Sequence, residues 1–275
     1  MESMRNRRFD FAMTKMRHAK FICLSFLVVL LGNTAQSQNA GQPGSAVLQQ
    51  RRIVLTRSSK LAKFPERKTA IVRYPVVKAL ENPVALAKVQ KILAVENAFG
   101  TTLKEYREDT WLSEFHYNVG YNANYVLDIT FSQSGVGAYP DTQTKHFLID
   151  LKSGSVIKAV DAFNTQQLAK LALLVDARLQ GDIRATIKRF QADTDTSAED
   201  KESLQSTFAD LKFKEENLDD FSVSARGITF LFDAGFPHAI QALQPDGRYF
   251  FSFAKLQPYI KRDGPLKVFR TGSSK

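Results

Sequence analysis

The stretch FHYNVGYNANYVLDITFS, residues 115–132, alternates apolar and polar side chains on both sides of an asparagine-rich centre. Apolar residues recur at every second position, and polar residues fill the positions between them. A period of two is typical of β-strands that bury one face and expose the other to water. The asparagines favour a turn from Tyr121 to Tyr125. The stretch therefore predicts two antiparallel strands joined by a short turn, in a sheet with one polar face.

Outward from this hairpin, the same period predicts further strands in residues 69–77, 147–151, 156–157, 221–223, 228–232, 249–253 and 266–269. A period of three to four predicts helices after Asn82-Pro83 and in residues 102–109, 161–190, 203–211 and 254–260, with a break at Gly181-Asp182. Strands and helices occur in separate runs instead of alternating regularly. We expect an α+β fold in which an antiparallel sheet, or more than one, carries helices packed on one face.

The chain has 275 residues and a formal net charge of +10, which on its face suggests a nucleic-acid or membrane partner. The positive charge is concentrated at the beginning of the chain. Residues 1–37 hold six basic and two acidic side chains, and residues 38–75 hold eight basic ones against Glu66 alone. The remaining 200 residues, which are long enough to fold, are nearly neutral. We therefore expect no nucleic-acid partner.

The first 37 residues have the pattern of a secretory signal peptide. Lys15, Arg17 and Lys20 precede the apolar run FICLSFLVVLL at residues 21–31, and Ala35-Gln36-Ser37 supplies small residues at the cleavage positions. The run is shorter than the roughly 20 residues of a spanning helix, so we expect cleavage after Ser37 and no membrane span in the mature chain. Translation from Met13 or Met16 would leave a shorter signal of the same kind. The localisation that follows is periplasmic or secreted.

The only cysteine, Cys23, lies inside this signal segment. The mature chain therefore has no disulfides, no thiol nucleophile and no thiolate metal ligand. We predict three segments: the signal peptide at 1–37, a flexible basic leader at 38–67, and one α+β domain at 68–275, with halves 68–163 and 164–275 as an alternative division. The leader is predicted to be a solvated segment, with an electrostatic foot on an anionic surface as the alternative.

No established catalytic motif is present. The mature sequence lacks a Gly-x-Ser-x-Gly elbow, a phosphate-binding glycine loop and a His-Glu-x-x-His zinc motif. His116 and His146 are predicted on the polar face of adjacent strands, where Asp128 or Asp150 could complete a metal site. Ordinary polar-face histidines are the favoured interpretation, and His238 is assigned to a turn. We expect neither a metal nor a cofactor.

Aromatic and amide side chains cluster around the central hairpin. Such side chains suit stacking on sugars or contact with a protein. The alternative, which we favour, is that most of them belong to the core and to the turn. Together with the histidines, the candidate binding residues are Trp111, His116, Tyr121, Asn122, Asn124, Tyr139, His146 and His238.

Several passages resemble a family of exported bacterial domains of unknown function, found in the extracellular region of the RsiV anti-sigma factor and in the non-catalytic region of PdaC-type peptidoglycan deacetylases. The passages are YNANYVL at 121–127, GVGAYP at 135–140, IDLKSG at 149–154 and DAF at 161–163, then FSV at 221–223, GITF at 227–230 and AKLQPYI at 254–260. Residues 235–247 depart from the Ala- and Gly-rich stretch usual there. No sigma-binding region or deacetylase domain accompanies the match, so no catalytic residue carries over.

The resemblance implies an α+β domain at the cell envelope, whose relatives recognise lysozyme or accompany a deacetylase. We therefore expect a soluble exported binding module for a cell-wall glycan or a wall-active protein such as lysozyme. An envelope hydrolase with a metal-dependent His/Asp site is the alternative. A purely structural envelope protein is a third reading.

Overall fold

A computed structural model describes residues 42–58, 60, 64–137, 140–194, 197–236 and 238–270. The described residues belong to one compact unit. The predicted signal segment lies outside them.

A six-stranded sheet forms the first layer. Its strands, in their order across the sheet, are β1 (Val47–Thr56), β2 (Thr69–Ala79), β3 (Leu112–Ala123), β4 (Val126–Val136), β5 (Pro140–Asp150) and β6 (Ser155–Val156). All neighbours are antiparallel except β2 and β3, which run parallel over a short register. The predicted hairpin is confirmed as β3 and β4.

The turn of this hairpin uses two left-handed residues. Asn124 has a φ of 53° and Tyr125 a φ of 63°. Both central residues of a tight hairpin turn need positive φ to match the strand twist, and asparagine tolerates it better than most residues. Asn124 therefore serves the turn, whereas Tyr121, Asn122 and Ala123, which were predicted to belong to it, continue strand β3.

Three helices cover one face of the sheet: α1 (Pro83–Ile92), α2 (Val95–Phe99) and α3 (Leu103–Glu108). Asn82 caps α1 by accepting from the amides of Val84 and Ala85, as its position before a proline predicted. Thr102 and Glu105 form a capping box on α3. The helices and the sheet enclose a first core, in which Phe115 and Phe131 are fully buried.

A second core lies around a long helix and a small sheet. The helices are α4 (Ala159–Ala162), α5 (Leu168–Ala192), α6 (Ala198–Phe208) and α7 (Phe253–Leu256), and the antiparallel strands are β7 (Phe221–Val223), β8 (Gly227–Leu231) and β9 (Arg248–Ser252). Short 3-10 turns connect several of these elements. Val126 and Leu148 of the large sheet also belong to this core, so the beginning of β4 is covered on both faces.

The α+β prediction with antiparallel sheets and helices is confirmed, and two details of it were wrong. Helix α5 continues through Gly181-Asp182 because the buried residues Leu179 and Ile183 extend its apolar stripe across the glycine, which outweighs the roughly 1 kcal/mol cost of a helical glycine. The predicted last strand is a 3-10 turn, Lys267–Phe269. The ring of Phe269 stacks on Phe253 at 4.2 Å, which favours the compact turn. None of the described helices is both long and apolar enough to cross a membrane.

The segment predicted as a flexible leader is largely structured. Strand β1 occupies ten of its residues and pairs along its whole length with β2. Before β1, the carbonyls of Pro43 and Gly44 accept from the amides of Asn124 and Tyr125 in the hairpin turn. Asn122 accepts from the amide of Ala46 and donates to its carbonyl, both at 2.8 Å. The leader prediction was wrong because these contacts join residues 76 to 81 positions apart, which no local pattern reveals.

Arg57 is the second unexpected feature of this segment. Its guanidinium is buried and donates to the backbone carbonyls of Arg67, Tyr106 and Leu112. Burial lowers the pKa of Arg57, with Asp109 acting in the opposite direction. A charge that seemed to belong to a solvated segment therefore holds the β1–β2 connection against α3 and the start of β3.

Replacing Asn122 with alanine should destabilise the protein by about 2–4 kcal/mol, because a buried amide and a buried carbonyl of Ala46 both lose their partner. Urea unfolding measures this loss. Asn118→Ala, an exposed position on the same strand, is the matched control and should change stability by less than about 0.5 kcal/mol. Equal losses of stability in the two variants would contradict the stabilising role of the bonds between Asn122 and Ala46.

Candidate functional site

A buried histidine and two aspartates meet where the small sheet crosses the large one. His146 on β5 places its Nε2 3.1 Å from Oδ2 of Asp128 on β4, and its Nδ1 3.5 Å from Oδ1 of Asp220. The side chains of His146 and Asp128 are 8% and 4% exposed, whereas Asp220 is 62% exposed. We call these three residues the His/Asp cluster.

The cluster is also bonded to the backbone of the small sheet. Oδ2 of Asp128 accepts from the amide of Val223 in β7 at 2.6 Å. Asp220 directly precedes β7, so both contacts fix the same strand over the large sheet. The most direct role of this geometry is to hold β7 in place.

Burial opposes the charged form of His146, but the hydrogen bonds and negative charges of Asp128 and Asp220 outweigh it and raise its pKa to about 9. The imidazole is therefore protonated at neutral pH, with a carboxylate beside each ring nitrogen. An imidazolium has no lone pair for a metal ion and cannot accept a proton as a general base.

Gly120 leaves space for the carboxylate of Asp128. It lies at an irregularity in the pairing of β3 with β4, between Val119 and Tyr121. A Cβ atom at Gly120 would lie 2.7 Å from Oδ1 of Asp128. The φ angle of Gly120 is ordinary. Glycine is therefore required here by the close approach of the Asp128 carboxylate and not by the backbone conformation.

Beyond the cluster, the same face of the large sheet is polar at every position across three strands. The register places Asn118 beside Thr130 and His146, His116 beside Ser132 and Thr144, and Glu114 beside Ser134 and Thr142. No residue in these rows is classed as buried, although the His146 side chain is largely covered. We call the eight residues other than His146 the polar face: Glu114, His116, Asn118, Thr130, Ser132, Ser134, Thr142 and Thr144.

Two of the predicted site residues, His116 and His146, lie on this side of the sheet. They were expected on adjacent strands, but β4 separates β3 from β5. His146 is held by Asp128, whereas Nδ1 of His116 is buried and has no hydrogen-bond partner among the described residues. Asp150 instead accepts from the amide of Lys152 and the hydroxyl of Ser153. In the described part of the chain, no three His, Cys, Asp or Glu side chains are grouped so that they could hold a metal ion.

The remaining candidates do not join the histidines. Trp111 packs against the first core on the opposite side of the sheet, and Tyr121 lies against Phe269 of the second core. Asn122 is buried in its bonds to Ala46, and Asn124 donates to the hydroxyl of Tyr121. Tyr139 lies outside the described residues. His238 begins the 3-10 turn His238–Leu243, and its side chain lies outside the described part of the protein.

Sequence reasoning missed the hydroxyl residues and Asp220. The alternation Thr130, Ser132, Ser134 was a usable signal, because equal spacing by two puts these side chains on one face. The partner alternation Thr142, Thr144 was equally regular. Asp220 gave no signal, since it lies 74 positions from His146 in the sequence.

The arrangement defines a class: an α+β domain of two sheets, in which a small antiparallel sheet is bonded to a larger one and leaves part of its polar face open. No protein-family model matches the chain, and none of the curated proteins compared with it is a match. A crystal structure of a DUF3298 family member from Bacteroides fragilis does match. It has a TM-score of 0.51 and 15% identity over 83% of this chain and 99% of that one.

A DUF3298 family protein from Pseudomonas aeruginosa also resembles the chain, with a TM-score of 0.48 and 13% identity over 78% of this chain and 94% of that one. The similarity to the Bacteroides fragilis structure extends over nearly all of that protein. The chain therefore shares the fold of that domain of unknown function.

Raising the pH should weaken the fold through His146. Its pKa of about 9 in the folded protein lies above the ordinary value of 6.5. Its stabilising contribution is therefore complete below pH 6.5 and is lost as the pH rises through about 9. The loss should be on the order of 3 kcal/mol. Urea unfolding at about pH 6 and about pH 9.5 measures it, and His146→Gln should lose less stability over this range. An equal loss of stability with pH in the wild-type protein and in His146→Gln would contradict the pairing of His146 with the two aspartates.

Gly120→Ala should destabilise the protein by about 1–3 kcal/mol, because the new methyl group displaces the carboxylate of Asp128. Gly181→Ala is the matched control. A Cβ atom at Gly181 meets nothing within 4 Å, and alanine in the middle of α5 should add about 0.5–1 kcal/mol. The thermal midpoints of the two variants should thus move in opposite directions. A lower thermal midpoint for Gly181→Ala, or an unchanged one for Gly120→Ala, would contradict the close packing of position 120 against Asp128.

Proposed function

We propose that this protein is an exported binding module of the cell envelope, and that it binds a glycan on the polar face. The supporting observation is the uninterrupted set of polar side chains across β3, β4 and β5. Five of the eight residues of the polar face carry hydroxyl groups, which both donate and accept hydrogen bonds, as sugar hydroxyls do.

The shape of the polar face suits an extended ligand. Serine and threonine are short, so the face stays low, and strands spaced about 4.8 Å apart give an even array of contacts. Glu114 is paired with Arg73 on the neighbouring strand β2, which leaves a surface of little net charge. Such a surface recognises neutral hydroxyl groups better than phosphates.

His116 offers a group that is not yet satisfied. A buried nitrogen without a partner carries a free-energy cost, which would be removed if the partly exposed imidazole turned so that this nitrogen bonded to a ligand on the polar face. Its neighbours across the sheet, Ser132 and Thr144, supply further donors and acceptors. The middle row of the polar face is therefore the centre of the proposed site.

The envelope location rests on the predicted signal peptide and on the resemblance to the RsiV and PdaC regions. The same resemblance makes a wall-active protein the other ligand to test. The hydrolase alternative is not favoured. Its candidate His146 is held as a cation between two carboxylates, and a cation of that kind is unsuited to bind zinc or to activate water.

Thr142→Val/Thr144→Val should weaken binding to purified peptidoglycan roughly 30-fold, because two hydroxyl groups at about 1 kcal/mol each are removed without changing side-chain shape. Co-sedimentation of the purified protein with peptidoglycan at increasing concentration measures the affinity. Thr56→Val/Thr69→Val makes the same change in a cross-strand pair at the opposite edge of the sheet and should have no effect.

Absence of saturable binding to peptidoglycan would overturn the glycan proposal. Retention of the protein on immobilised lysozyme in that case would move the ligand to the protein class. Equal losses in the two double variants would show that the polar face is not the site.

A further inference from the structure

We propose that the outer edge of β1 accepts an extended acidic segment of another polypeptide as an added strand. This surface is distinct from the polar face and does not depend on the proposed glycan site. The proposal rests on the position of β1 and on its exposure and charge.

Strand β1 is at the end of the six-stranded order, and no described strand pairs with its outer side. Its pairing with β2 is regular from Leu48 to Thr56 after one irregularity at Val47. In an antiparallel strand of ten residues, about five direct their backbone N–H and C=O groups away from the partner. These groups are the template on which a further strand can add.

The edge is also exposed along most of its length. Seven of the ten residues are exposed, including Arg51 and Arg52 at the centre. Val54 is 44% exposed beside them. A partner segment could therefore contact backbone groups, two cationic side chains and an apolar side chain on this one strand.

Charge decides which partner fits. Residues 42–75 carry eight basic side chains and a single acidic one, Glu66. Two of the basic side chains form bonds within the protein: Arg57 donates to backbone carbonyls, and Arg73 pairs with Glu114. A second copy of this chain pairing antiparallel about Arg51 and Arg52 would place arginine opposite arginine, which is destabilising. The same arginines attract a strand that carries Asp or Glu at those positions. The charge of this edge thus disfavours self-pairing in that register and favours an acidic partner.

A ten-residue peptide with Glu at its two central positions and alternating Val and Thr on either side, labelled with a fluorophore, is the probe, because Arg51 and Arg52 lie on opposite faces of the strand. Fluorescence anisotropy should show saturable binding to the full chain that weakens as salt is raised. Arg51→Glu/Arg52→Glu should reduce the affinity at least tenfold. Arg184→Glu/Lys188→Glu changes the charge equally on exposed positions of α5 and should leave the affinity unchanged.

Backbone pairing is tested separately from charge. Two peptide versions carry N-methyl groups on one or the other alternate set of residues, so each version blocks one edge of the peptide. Strand addition predicts that one version binds and the other does not, and that hydrogen exchange of β1 amides slows in the complex. Equal binding of both versions, unchanged exchange in β1, or no saturable binding of the unmodified peptide would each overturn the proposal.

Discussion

Asp128 carries a negative charge into the interior, and the arrangement of the two sheets depends on how that charge is satisfied. Its Oδ2 accepts from the imidazole of His146 in the same sheet and from the amide of Val223 in the other. An unpaired charge at 4% side-chain exposure would cost several kcal/mol. The carboxylate therefore requires both partners, and strand β7 must remain over β4 and β5 to provide one of them. Glycine at position 120 is the local adaptation that lets the carboxylate fit.

The position of β7 in turn determines which part of the large sheet remains accessible. Around Val126 and Leu148 the second face is covered by the second core. Past His146 it opens into the polar face, where serine and threonine replace aliphatic residues. The covered part of this face contributes to stability, and the open part is the proposed binding surface. The cluster at their border is the structural support of the proposed site.

How well each feature could be predicted from the sequence depends on how far apart in the chain the contacting residues lie. The β3–β4 hairpin, the Asn82 cap and the α3 capping box all depend on residues within a few positions of one another, and the sequence predicted the hairpin turn and α1 correctly. Strand β1 was missed because its sequence, VLQQRRIVLT, does not alternate between apolar and polar residues, and its partner β2 lies beyond the connection at residues 57–68. The bonds of Asn122 to Ala46 and of Asp128 to Val223 join residues 76 and 95 positions apart. Alternation likewise assigned a face of the sheet to the candidate site residues but not what covers that face.

If the hydrogen bond that Asp128 accepts from Val223 joins the two sheets, they unfold as one cooperative unit. Native-state hydrogen exchange at the Val223 amide measures this coupling, because that amide is the donor. We expect the Val223 amide to open with the same free energy and denaturant dependence as the amide of Ile129 in the middle of β4. Opening of Val223 at a clearly lower free energy, without denaturant dependence and with Ile129 still protected, would show that this bond does not couple the sheets.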